Sequence, residues 1–225
     1  MKSITIYINE TLKLGKQRHK YYPKTKKELK KLLKQLIEER GNDGDFNDIN
    51  TSEITDMSRL FETSNFNGDI SKWDVSSVKN MKYMFYRCKN FNQNISEWDV
   101  SNVTDMSGMF LWCGTFNQDI SNWVVSKVTN MRFMLYKCEK FNQDISNWDV
   151  SNVKDMHNMF YNCESFNQDI SNWDVSKVID MDYMFYGAKK FNQDISKWDV
   201  SKVNTKDNIF DGCTIKEKYK PKFKK

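Results

Sequence analysis

Histidine is nearly missing from this sequence: His19 and His157 are the only two, so a catalytic base of that type has few places to stand. His157 occupies the position that other units fill with Lys82, Ser107, Arg132 or Asp182, which reads as an exposed, variable site. No Ser/His/Asp set, phosphate-cradling glycine loop or catalytic carboxylate pair stands out, so neither enzyme activity nor a cofactor is expected. Glycine is scarce too, and no glycine-punctuated loop of the calcium-binding type occurs among the eight glycines. Long apolar runs are absent: nothing approaches the roughly 18 residues of a membrane-spanning helix.

Charge of one sign is missing from neither half but is segregated. Residues 1–41 hold 12 Lys/Arg against 4 Asp/Glu, residues 42–214 hold 17 against 25, and residues 215–225 hold 6 against 1. An acidic body of about −8 between basic ends would repel phosphate, so nucleic acid is an unexpected partner.

What is abundant is repetition. The 25 residues FNQNISEWDVSNVTDMSGMFLWCGT, Phe91 to Thr115, return from Phe66 almost to the end, led by Phe66, Phe91, Phe116, Phe141, Phe166 and Phe191. A fixed period of this length marks a stacked repeat architecture, and it is too short for a four-stranded propeller blade. Within one unit, Trp98 and Val100 alternate with Glu97 and Asp99, the pattern of a half-buried strand. Val103, Met106, Met109, Phe110 and Cys113 then follow at near-helical spacing after the capping-type Ser101. The expected fold is an α/β solenoid, a leucine-rich-repeat-like stack of strand–turn–short-helix coils with a parallel sheet on one face. The expected division is an N-terminal strand and capping helix over 1–45, repeats over 46–213 with a shortened first coil, and a basic, disordered tail over 214–225. Tyr219 and Phe223 leave open a docking of that tail on the last coil.

Met1 to Ile8 reads as a strand, since its apolar run is shorter than the core of a secretory signal. Thr25-Lys26-Lys27-Glu28 is a capping box ahead of Leu29, Leu32, Leu33, Leu36 and Ile37, with Gly41 at the stop. That helix reads as a cap over the first coil; its lysine face offers membrane-surface binding as the rival.

The motif FNQDISNWDVSNVTDMSxMF resembles the BspA-like repeats, the mycoplasma lipoprotein-associated relatives of leucine-rich repeats, over about residues 46–213. The segment Tyr22-Pro23-Lys24-Thr25-Lys26-Lys27-Glu28-Leu29 resembles the lead-in to such repeats. The resemblance implies a horseshoe or right-handed solenoid, no catalytic residues, and adhesion or binding of host or matrix proteins at a bacterial cell surface.

Three columns invite chemistry. Cys88, Cys113, Cys138, Cys163 and Cys213 complete apolar stripes, with Ala188 filling the gap, and read as buried thiols rather than metal ligands or disulfides. Such thiols favour an intracellular, reducing compartment, whereas the resemblance favours the surface, and the compartment stays open. Asn67, Asn92, Asn117, Asn142, Asn167 and Asn192 read as a buried amide ladder. The aspartate columns from Asp69 and Asp74 read as Asx-type turns, with cation binding the lesser reading. The expected function is a non-enzymatic protein-interaction or adhesion module, the alternative a structural or self-associating repeat. The expected surface is Lys72, Asp74, Glu97, Asp99, Asn122, Val124, Asn147, Asp149, Asn172, Asp174, Lys197 and Asp199, engaging a protein partner with no membrane insertion and, as the default, from a monomer.

Overall fold

The computed structural model describes residues 19–223. The strand read at Met1 to Ile8 lies outside them.

Thr25 opens α1 (Lys26–Arg40): its side chain accepts the Glu28 amide at 3.2 Å, and Glu28 reaches back to the Lys24 amide at 2.8 Å. Gly41, at φ +77°, ends the helix with its N–H on Ile37 O. The apolar face buries Leu29, Leu33 and Leu36, with Leu32 and Ile37 packed at its edges. Arg40, in the last turn, forks onto Asp48 at 2.8 and 3.0 Å and also donates to Asp45 O, fastening α1 to the first repeat unit.

The repeat units themselves contradict the expected strand–helix solenoid. Among the described residues there is no parallel sheet, and α1 is the single α-helix. Each unit is a succession of tight turns, with isolated parallel bridges to its neighbours in the column Asp56, Asn80, Asp105, Asn130, Asp155, Asp180 and Thr205 and one more between Asp45 and Asp69 at the first seam. The reason lies in where the amides go.

Along the arc Ile95 to Val103, the amides of Trp98 and Val103 close turns on Ile95 O and Val100 O. Those of Ser96 and Ser101 bond the side chains of Asn94 and Asp99 at 2.9 and 3.0 Å. Donors spent within their own unit cannot build a sheet ladder. Side chains cross the seam instead, as the Trp98 indole donates to Ile70 O one unit back at 3.2 Å.

Along the arc Met106 to Cys113, the amides alternate. Met106, Gly108, Phe110 and Trp112 donate to Asn130, Arg132, Met134 and Tyr136 of the next unit, while Met109, Leu111 and Cys113 close i to i−3 turns. An α-helix needs every one of these amides on its own axis, so the helix is excluded. Positive φ at Gly108 (60°) and Trp112 (66°) makes the alternation possible. Apolar residues three apart suit consecutive three-residue turns as well as they suit a helix, which is why the stripe misled.

The core is a set of columns. Trp98 and Trp123 stack at 6.5 Å and 2°, and Trp148 and Trp173 at 6.4 Å and 2°. The leading phenylalanines stack likewise, Phe116 on Phe141 at 5.9 Å and 1°. Beyond the last unit, Ile215 is buried, a 3-10 turn forms over Glu217–Tyr219, and Tyr219 and Phe223 pack on the core. The tail through residue 223 is therefore docked rather than disordered, because its two aromatic rings cover an otherwise open end.

Candidate interaction surface

Every residue of the expected surface is exposed, in two columns separated by the buried tryptophans. Lys72, Glu97, Asn122, Asn147, Asn172 and Lys197 precede the tryptophans; Asp74, Asp99, Val124, Asp149, Asp174 and Asp199 follow them. The first column varies in charge and the second is acidic except at Val124. Each unit thus presents two side chains on a backbone held by turns and by an indole hydrogen bond.

The second column owes its order to Asx turns. Asp74, Asp99, Asp149, Asp174 and Asp199 each accept the amide two residues on, at 3.0 to 3.1 Å. The Ser101 and Ser176 side chains, then their amides, hold the Asp99 and Asp174 carboxyls below the usual carboxylate range, so both stay ionised near neutrality. Val124 interrupts this file at 55% exposure. A shallow depression of about 260 Å³ opens there, lined by Glu97, Trp98, Asp99, Asn122 and Val124 among others.

The asparagine column is a ladder, but on the surface rather than buried. Asn92, Asn117, Asn142, Asn167 and Asn192 each donate their backbone N–H to the amide oxygen of the asparagine one unit back, at 2.8 to 3.0 Å. The thiols sit deep. Cys88, Cys113, Cys138 and Cys163 donate to the carbonyls of Phe61, Phe85, Phe110 and Leu135, and burial pushes their ionisation up, so they are inert.

A further face is hidden in the sequence, where near-helical spacing assigns these residues to the outside of a short helix. Trp112, 36% exposed, carries Lys137 over its ring at 3.8 Å, and Tyr136, Tyr161 and Tyr186 stack at 4.4 and 4.7 Å. The signal was present: asparagine or glycine recurs at Gly108, Asn158 and Asn208, and again at Asn162, Gly187 and Gly212, all at positive φ. His157 is also on this face and is half-buried, not freely exposed, with its ring edge-on to Phe133 at 5.0 Å. Burial pushes the carboxyl of nearby Asp155 up from the usual range.

A larger groove of about 360 Å³ runs along α1, lined by Leu33, Ile37, Leu60 and Phe61 and rimmed by Lys30, Lys34, Glu38 and Glu62. It lies apart from both exposed columns. Among the described residues, no helix is long and apolar enough to cross a membrane.

The family model described as Mycoplasma protein of unknown function, DUF285, matches residues 28–143 and again 113–222. The chain belongs to this family. Neither a curated protein nor a solved structure matches it. The two DUF285 matches together run from α1 through the 3-10 turn, so the helix and the stacked units fall within the family's span. Membership places the chain in a mycoplasma repeat family and does not mark it as a BspA-like leucine-rich repeat.

Proposed function

We infer that this chain is a non-enzymatic protein-binding module whose contact surface is the pair of exposed columns flanking the buried tryptophans. One observation carries the reading. Side chains that vary from unit to unit, Lys72, Glu97, Asn122, Asn147, Asn172 and Lys197, stand in register on a frame whose core repeats nearly unchanged, with Leu135 and Ala188 as the exceptions between Phe66 and Val200. The depression at Val124 offers an apolar foothold inside an acidic file, the arrangement in which a partner's apolar anchor is rimmed by charge. The resemblance of the repeat motif to BspA-like repeats supports a role in adhesion to host or matrix proteins.

The test is binding of the purified chain to immobilised host-cell and matrix proteins, beside a variant carrying Glu97→Lys, Val124→Asp and Asp149→Lys. Retention is expected to fall at least about tenfold in the variant, as loss of a central anchor would give. Equal retention with unchanged unfolding would remove these columns from the site. Self-association, the other class of reading, would instead appear as a molar mass that climbs with concentration in light scattering.

A further inference from the structure

We propose that His157, Asp180 and Asp182 form a binding site for a divalent first-row transition ion of the zinc class, at the seam between the units led by Phe141 and Phe166. One imidazole nitrogen and one carboxylate oxygen from each aspartate lie within 4.8 Å of one another.

The nitrogen is the decisive atom. His157 Nδ1 is buried and has no hydrogen-bond partner, although Asp180 Oδ1 stands 3.5 Å away. A neutral ring with its lone pair on that nitrogen would face a carboxylate lone pair across the gap. Such an arrangement needs a cation between the two, or a proton on the nitrogen. Two donors each about 2.0–2.2 Å from a tetrahedral ion stand about 3.4 Å apart, close to the 3.5 Å found here. The ring and Asp180 thus already stand at ligand spacing, and the Asp182 carboxylate, within 4.8 Å of both, closes in to complete the set.

The surroundings hold the donors in place. The ring is edge-on to Phe133 at 5.0 Å and 86° and to Tyr183 at 6.4 Å and 78°. Asp180 Oδ1 accepts the Asp182 amide at 3.0 Å, and Asp182 Oδ1 accepts the Asp207 amide at 2.6 Å. Backbone bonds to ligating carboxylates are the kind of outer support that fixes a metal site.

The set is particular to one seam. The positions equivalent to His157, Asp180 and Asp182 are Arg132, Asp155 and His157 one unit back, and Ser107, Asn130 and Arg132 two units back. In the seam one unit back, Arg132 already supplies a positive charge at 3.7 Å from Asp155. An imidazole beside two carboxylates suits zinc-class ions better than calcium or magnesium, which favour oxygen donors throughout.

The experiment uses the full, tag-free, metal-stripped chain. Zinc is titrated by calorimetry at pH 7.5, and cobalt(II) by visible absorption. Expected are saturation at one equivalent, cobalt bands without the thiolate charge-transfer absorption that the cysteines would add, and affinity at least about tenfold lower in His157→Gln and Asp182→Asn. In the unsubstituted chain, zinc should shift the His157 Nδ1 resonance in nitrogen-15 spectra, a readout that does not depend on the variants folding. Absence of uptake, uptake unchanged in both variants, or an Nδ1 resonance indifferent to zinc would overturn the site.

Discussion

Trp148 shows how a single side chain does the work of a strand. Its indole donates to Ile120 O at 3.0 Å across the seam, and its ring stacks on Trp173 at 6.4 Å. Trp148→Ala removes a buried ring and one hydrogen bond across the seam, although Ile120 O keeps the Trp123 amide, so a loss of about 3–5 kcal/mol is expected by urea unfolding. The inward direction of this tryptophan was legible, because alternation with Asn147 and Asp149 admits one buried face. The hydrogen bond was not, because a donor's partner one unit away is a matter of register in space. His157 was misread for a related reason: its exposure depends on Phe133 and Tyr183, residues of the units on either side.

At the scale of the element, α1 was readable almost to the residue. Its cap, stripe and glycine stop are all local signals, and Lys26–Arg40 follows them. How it is attached was not readable, since Asp48 lies beyond the helix and meets Arg40 only in the folded chain. Arg40 holds the Asp48 carboxyl below its ordinary value, chiefly through their hydrogen bonds. A depressed folded value means that the contribution is complete above the unfolded range near pH 4, roughly, and fades as pH falls through the folded value. Asp48→Asn should therefore cost about 1 kcal/mol at pH 7, a modest figure because both side chains remain partly solvated, and less at pH 2. Denaturation midpoints at the two pH values provide the check; an equal loss at both would mean that the pair acts through packing, not charge.

The whole molecule is a stack whose seams are nearly alike, and this makes its response to excision predictable. Four amides per unit cross to the next, as at Met106, Gly108, Phe110 and Trp112, and from Phe66 onward the columns of Trp and leading Phe continue unbroken, with Ala188 the one gap in the Cys column before Cys213. Removing residues 116–140, one full period, places Phe141 where Phe116 stood and restores every column. That variant is expected to fold cooperatively, with a urea m-value smaller in proportion to the lost surface. Removing half a period should split the single cooperative transition, since at the junction Trp would then face Met and the cross-seam amides there would lose their acceptors. Circular dichroism during urea titration distinguishes the outcomes.

What the sequence determined by itself was the period, the identity of the buried apolar side chains and helix α1, because each is written in local spacing and needs no distant partner. The backbone path within each unit was decided by tertiary structure. A run such as Met106, Met109, Phe110 and Cys113 fits a helix and a chain of three-residue turns equally well on paper. The neighbouring unit breaks the tie: its carbonyls accept every second amide, and that demand, met by left-handed residues at Gly108 and Trp112, rules the helix out. The same holds along Ile95 to Val103, where the asparagine and aspartate side chains and the indole take the bonds that a sheet would have used.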